Sequence, residues 1–448
     1  MRPRVHTASL GRWVDPVDAW TALCTGAEAS FWLDSGPSAL TGMSYLGVGE
    51  SLSTEFPDGV ISWLRARDVS AETEGVPAGF TLGWVGWLGY EVRGETMGVE
   101  VSRASRYPDA AWMFVSRCLA FDHETGEVSL LALDDLEGFR AEVEAALAAV
   151  DQSGVADAVA EGPVPDRGSR DEQPAVTWAY SDDEYLAKIE ACQSAIREGE
   201  AYQLCLTTEV RVDARPDPFT TYTRLRASSP THHGALLVAR GVSLLSASPE
   251  RFLSVSAEGA IESKPIKGTR PRGLTGLADE ELRFELESSE KERAENLMIV
   301  DLMRNDIGRV SAVGSVAVTS LLAVESYAHV HQLVSTVRGQ LADGLTAVDA
   351  IEACFPAGSM TGAPKRSATL ILDGLEGRAR GIYAGAFGYL GLDGAVDLAM
   401  VIRSIVLDGE GATIGTGGGI TALSVPEEEL AEAHLKAEAL LRVLGAVS

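Results

Sequence analysis

Residues 382–392, 396–406 and 412–419 are three strand-like runs in close succession, with only a few residues and no helical stretch between them. The same short runs, broken by Gly- and Asp-bearing turns, recur near the start of the chain at 29–33, 80–90, 110–122 and 127–133, and later at 209–212, 234–238 and 244–248. Helical periodicity is confined to other stretches, 137–150, 287–305 and 427–444. A further helix opens at Ser181, where Glu184 completes a capping box and Tyr185, Ile189, Cys192 and Ile196 recur at helical spacing until about Gly199. Groups of strands and helices without regular βαβ alternation predict an α+β fold built on antiparallel sheet.

Residues 150–176 lack either rhythm, because small, charged, Pro and Gly residues replace the apolar positions. They predict an N-terminal domain over 1–150, a linker over 151–178 and a C-terminal domain over 179–448. Of the 448 residues, 46% are hydrophobic and 23% charged, which excludes a chain disordered throughout. The net charge of −28 would on average repel a polyanion and argues against nucleic acid as the main partner. No window approaches the ~20 uninterrupted apolar residues of a membrane span, and the N-terminus reaches Asp15 and Asp18 without the apolar core of a secretory signal. Cys24, Cys118, Cys192, Cys205 and Cys354 are scattered and never form CxxC, so they read as reduced thiols of a cytoplasmic protein.

Several segments carry residue types suited to chemistry. Residues 264–273 compress Lys264, Lys267, Arg270 and Arg272 with two prolines and two glycines, either as a solvated basic loop or as a rigid anion site. Between Ile266 and Gly268, partial burial of Lys267 would depress its pKa and free the amine as a nucleophile. Residues 289–302 mix charge with an apolar stripe; the plain reading is a surface helix with Glu292 and Glu295 facing solvent. Glu427, Glu428, Glu429 and Glu432 open the last helix, where carboxylates suit the positive end of the dipole. Glu295 and one of this quartet could instead converge on Mg²⁺, which takes only one or two protein carboxylates. Gly417, Gly418 and Gly419 follow a strand and let backbone N–H groups approach an anion, although a simple turn would use them equally well. Residues 356–365 fail the GxxxxGK[ST] pattern, since Pro364 stands where its second glycine belongs. GxSxG and HExxH are absent, and the pairs His232-His233 and His329/His331 read as structural.

Eight motifs occur in order along 180–445: Gly199-Glu200-Ala201-Tyr202-Gln203-Leu204-Cys205, Ser248-Pro249-Glu250-Arg251-Phe252, the 265–273 loop, Ala294-Glu295-Asn296-Leu297-Met298, the 356–365 loop, Arg380-Gly381-Ile382-Tyr383-Ala384-Gly385, Ile402-Arg403 and the 417–432 terminus. Together they resemble the chorismate-utilising enzymes, the family of anthranilate synthase component I, aminodeoxychorismate synthase component I and the isochorismate and salicylate synthases. Phe31-Trp32-Leu33-Asp34-Ser35 and 83–90 resemble the N-terminal domain of the first two. The resemblance implies a complex sandwich of two antiparallel β-sheets flanked by helices, with a Mg²⁺-dependent chorismate site between them. It implies Glu295 and Glu429 as metal carboxylates, with Glu432 in support. Tyr383, Arg403 and the amides of Gly417, Gly418 and Gly419 would receive the carboxylate that the metal does not, with Lys436 nearby, and Gln203, Gly268, Thr269 and Thr361 would complete substrate binding.

Within the family, isochorismate and salicylate synthases carry a water-activating lysine where this chain has Gln203, which cannot act as a base. The anthranilate synthase loop reads Pro-Ile-Ala-Gly-Thr; Pro265-Ile266-Lys267-Gly268-Thr269 resembles the aminodeoxychorismate branch, which implies covalent addition of Lys267 to the ring and Glu250 as general acid. Gln332 replaces the histidine of anthranilate synthases, with His331 one residue earlier. The implied activity is amination of chorismate at C4, feeding 4-aminobenzoate and folate synthesis. The sibling activities, anthranilate or 2-amino-2-deoxyisochorismate formation, and a silent regulatory subunit are the alternatives. No cysteine lies in Gly-x-Cys-x-Gly, which implies a separate glutamine amidotransferase as ammonia source. Tryptophan at 31–35 is a further ligand that the resemblance offers.

Overall fold

Every residue of strand Ala29–Asp34, and most of Gln203–Val212, is buried on both faces of the pleat. A strand covered on both sides needs a sheet against one face and helices or loops against the other. The computed structural model describes residues 3–67, 71–153, 173–327 and 330–447, and among these the strands form two antiparallel sheets, one 12-stranded and one 10-stranded. The first runs His6–Ser9, Glu127–Ala132, Arg117–Asp122, Met43–Val48, Ala29–Asp34, His233–Ala239, Val242–Ser248, Ser404–Asp408, Gly411–Ile420, Gln203–Val212 and Gly362–Ala363, with Val176–Trp178 also on Gln203–Val212. The second runs Ile266–Pro271, Val330–Gln340, Ala260–Ser263, Arg251–Val255, Val396–Met400, Ala386–Gly391, Gly83–Leu88, Ala110–Val115 and Ser51–Ser53, with Ala317–Ser326 on Val330–Gln340. This is the expected α+β sandwich.

Segments before and after the expected linker are joined strand to strand in both sheets. Trp32 lies opposite Leu236 in the first, and Trp87 opposite Phe387 in the second. Trp32, Trp87 and Trp112 are fully buried, and burial of such a large apolar side chain contributes roughly 1.5–3 kcal/mol or more. Residues 154–172, most of that linker, lie outside the described residues.

Three elements differ from the sequence reading. The single strands expected over 110–122 and 396–406 are each two, Ala110–Val115 with Arg117–Asp122 and Val396–Met400 with Ser404–Asp408, and each pair has one member in each sheet. Both sheets bury apolar residues, so hydrophobicity runs on across the break. The helix expected over 287–305 is Gly276–Ser288 followed by Glu290–Gly308, restarted by Ser289, whose hydroxyl accepts the Glu292 N–H at 3.4 Å. Ser181 caps Asp182–Arg197 with the capping box formed as expected. No helix among the described residues is long and apolar enough to cross a membrane, and all five cysteines are free and buried.

Candidate active site

Glu250 and Arg403 sit where the chain crosses between sheets. Pro249-Glu250 links Val242–Ser248 to Arg251–Val255, and 401–403 links Val396–Met400 to Ser404–Asp408. The crossovers bind one another: the Met400 N–H donates to the Glu250 carbonyl at 3.0 Å, and the Ala247 N–H to that of Arg403 at 3.1 Å. Arg403 takes the left-handed conformation, φ +51°, which costs a non-glycine residue about 1–3 kcal/mol and so marks a constrained position. Its guanidinium is near Tyr383 and Glu432.

Glu250 is only 8% exposed and accepts the Ser359 hydroxyl at 3.1 Å. Burial holds its pKa above the usual carboxyl value despite Lys267, Ser359 and the Ile266 amide, so it is suited to keep a proton for donation. Lys267 lies on Ile266–Pro271, where the pairing register shifts around Gly268, whose φ of +83° suits glycine. The other three cations of this segment are paired, Lys264 with Glu325 at 3.2 Å, Arg270 with Glu285 at 3.1 Å and Arg272 with Asp279 at 2.8 Å. For them the plain basic-loop reading holds. Lys267 faces Glu295, Glu250 and Glu432, yet among the described residues its amine forms no hydrogen bond. The expected fall in its pKa is overturned: burial lowers it, but Glu295, with Cys205, Glu250 and Glu432, holds it above the ordinary value, so the resting amine is charged.

Glu295 and Glu429 come from different helices, Glu290–Gly308 and Pro426–Val443, and are 7% and 2% exposed. The solvent-facing reading of Glu295 is therefore wrong. Burial is the main cause that pushes its pKa up to about 7; Glu292 and Glu429 add to this, while Lys267 and Lys291 oppose it. Glu429 accepts Lys291 at 2.9 Å and the Ser424 hydroxyl at 2.7 Å. Burial raises the pKa of Glu432, but Lys436, 2.6 Å away, with Lys291 and Lys267, carries it below the ordinary value. Lys436 also donates to the Gly417 carbonyl at 2.9 Å.

The carboxylates approach the glycine strand closely. A Cβ on Gly418 would meet Glu429 Oε2 at 2.9 Å, and one on Gly419 would meet Gln203 Nε2 at 2.3 Å with Glu295 Oε2 at 3.7 Å. Gln203 is 1% exposed, and its Oε1 is buried without a partner. The two carboxylates, with the Gln203 amide nearby, are hard-oxygen donors of the kind and number that would suit Mg²⁺, which completes its shell with water. Among the described residues no cluster of three or more His, Cys, Asp or Glu is suited to hold a metal. Tyr383 lies with its ring on Gly415, and Thr361 donates to the Ala357 carbonyl at 3.1 Å. Thr269 is exposed and lies opposite Gln332 in the ladder.

Sequence reasoning gave no role to Ser359, which bonds Glu250, or to Lys291, which pairs with Glu429. Both lay inside motifs named as segments, but a partner on another element leaves no local signal. Lys365, at the end of the loop that mimics a phosphate site, is held by Asp306 at 2.5 Å and the Cys354 carbonyl at 2.7 Å. His331 is held by Ser326 at 2.8 Å and Asp279 at 2.9 Å; His329 lies outside the described residues. A cavity of about 650 Å³ is lined on the other side of the crossover by Leu33, Asp34, Ser35 and Arg251, whereas Phe31 and Trp32 belong to the core.

The sequence pattern of the chorismate binding enzymes matches residues 24–442, and the chain belongs to this family. Aminodeoxychorismate synthase of Streptomyces pristinaespiralis is 42% identical over 98% of this chain and 65% of that protein. Anthranilate synthase component 1 of Streptomyces coelicolor is 35% identical over 98% of this chain and 88% of that one. The crystal structure of anthranilate synthase component I from Streptococcus pneumoniae TIGR4 has a TM-score of 0.71 at 28% identity, covering 97% of this chain and 98% of that one. The chain spans a little under two thirds of the length of the aminodeoxychorismate synthase relative.

Proposed function

We propose that the protein aminates chorismate at C4, giving 4-amino-4-deoxychorismate for 4-aminobenzoate and folate synthesis. The observation that carries this reading is Lys267, half-buried and facing Glu250, Glu295 and Glu432 without a hydrogen bond, in a loop that reads Pro-Ile-Lys-Gly-Thr. Glu295 and Glu429 would hold Mg²⁺, with Glu432 in support, and the ion would neutralise one carboxylate of the dianionic substrate. Arg403, Tyr383 and the amides of 417–419 would receive the other. Lys267, after giving up its proton, forms a bond from its nitrogen to the ring as the C4–O bond breaks, and Glu250 gives its proton to the departing hydroxyl, which leaves as water. Ammonia then attacks C4 and displaces the lysine. Lys267 has carboxylates facing it as proton acceptors, which the charged resting amine requires. Gln203 offers no base to activate water, which disfavours hydroxylation.

A glutamine amidotransferase would supply the ammonia, and the reaction would take place in the cytoplasm. The 650 Å³ cavity behind Arg251 is the place where tryptophan would be sought. The test is to incubate the purified protein with chorismate, Mg²⁺ and ammonium and identify the product by chromatography and fluorescence. Accumulation of 4-amino-4-deoxychorismate supports the reading. Anthranilate formed without an added lyase would move the protein to the sibling branch, a possibility kept open by the 35% identity to an anthranilate synthase.

A further inference from the structure

Behind the site lies a second set of buried charges that touches none of the proposed substrate contacts. Arg380 is 3% exposed and grips Glu376 through two bonds, Nε at 2.8 Å and Nη2 at 2.7 Å. The rest of its fork goes to backbone carbonyls, that of Met360 at 2.6 Å and that of Cys205 at 2.9 Å. Met360 stands between Ser359, which bonds Glu250, and Thr361; Cys205 lies opposite Gly419 in the ladder and donates its N–H to the Thr361 carbonyl at 2.8 Å. Glu376 in turn accepts the N–H and the hydroxyl of Thr207, both at 2.9 Å. From the N-terminal segment, Glu91 accepts the N–H of Arg380 at 3.0 Å and that of Gly381 at 2.9 Å, while the Tyr90 N–H donates to the Gly381 carbonyl at 2.8 Å. Tyr383 is two residues further on. The Arg380 guanidinium lies over the Tyr90 ring, 4.3 Å from its centre.

We infer that Arg380, Glu376 and Glu91 form a positioning clamp for the reaction, on which two catalytic features depend separately. Arg380 holds the 358–361 loop against strand Gln203–Val212, and through Ser359 sets the Glu250 carboxyl. Glu91 holds the turn that carries Tyr383. The inference rests on the functional reading above, which makes Glu250 the acid and Tyr383 a carboxylate contact. Lysine keeps the charge of Arg380 but not its planar fork, so in Arg380→Lys at least one carbonyl loses its donor. Glu91→Gln replaces one acceptor oxygen by an amide N–H that faces another donor.

The expected result is a split. Arg380→Lys lowers kcat about tenfold or more with KM for chorismate within about threefold, since small misplacement of a reacting group slows chemistry strongly. Glu91→Gln raises KM about fivefold or more with kcat nearly unchanged, because the turn that carries Tyr383 loosens while the Arg380 guanidinium keeps its bonds to Glu376, Met360 and Cys205. Hydrogen exchange read by mass spectrometry is the second readout: 357–363 speeds up in Arg380→Lys and 378–385 in Glu91→Gln. A purely structural role would lower thermal stability in both variants without the split, and that result overturns the inference, as does a kinetic loss without faster exchange in these peptides. Should Arg380→Lys not fold, Glu91→Gln alone decides through KM and 378–385. Should the wild type not turn over chorismate, the functional reading fails, while the exchange data still test the clamp.

Discussion

Around Arg380 and Glu376, the guanidinium and the carboxylate each meet partners from several elements. Around Lys267 and Glu295, neither charged group carries a hydrogen bond among the described residues, and both pKa values are displaced upward. Glu295 is as buried as Glu376 and Arg380, so burial alone does not distinguish a site from a scaffold. A paired and hydrogen-bonded charge is a support, while one left without hydrogen bonds retains the capacity to bind a cation, a dianion or a proton.

The largest expected effect comes from removing one of the two carboxylates assigned to the metal. Glu295→Gln and Glu429→Gln should each lower Mg²⁺-dependent turnover by about a thousandfold or more, equivalent to roughly 4 kcal/mol of lost transition-state stabilisation. Full activity of either variant at limiting Mg²⁺ would leave that glutamate a purely structural role. Lys267→Arg comes next. Arginine keeps the charge but cannot act as the nucleophile, so 4-amino-4-deoxychorismate formation should fall about a hundredfold or more. Lys267→Ala should lose the covalent intermediate yet retain some ammonia attack at C2, detected as the 2-amino product. Wild-type rates in Lys267→Arg would leave the lysine a purely electrostatic role. The smallest effect lies on the saturated side: Thr207→Val removes one of the two Thr207 bonds to Glu376, that of the hydroxyl, and should cost about 1–3 kcal/mol in urea denaturation. The backbone donor survives, so the true value should lie near the lower end.

The sequence revealed the parts of this contrast that are local and concealed those that are not. The capping box at Ser181 and the acidic opening of the last helix were legible because each is written within a single turn. The ends of 110–115 and 396–400 were not, because a change of sheet leaves the apolar rhythm intact. Helix Gly276–Ser288 escaped because Leu277 and Phe284, both 70% exposed, blur its buried face. Family motifs led to Glu250, Glu295, Glu429 and Lys267, but the direction of the Lys267 shift depends on carboxylates delivered by other elements, which the neighbours Ile266 and Gly268 do not disclose. Glu91 was missed for the same reason, lying 289 positions before the amide of Arg380 that it accepts.

The most direct test of the contrast is thermal denaturation of the metal-free protein across pH, comparing wild type with Glu295→Gln and Glu376→Gln. The folded pKa of Glu295, about 7, lies above the ordinary 4.5, so its ionised form is disfavoured by folding. The group therefore costs nothing while protonated in both states, and stability is lost as pH rises from 4.5 through 7, by an amount bounded at about 3 kcal/mol. Glu295→Gln should match wild type near pH 5 and exceed it near pH 8, whereas Glu376→Gln, which breaks a bonded pair, should be less stable at both. A Glu295→Gln variant less stable than wild type near pH 8 would contradict the account, because it would show that the carboxylate assigned to the metal supports the fold instead.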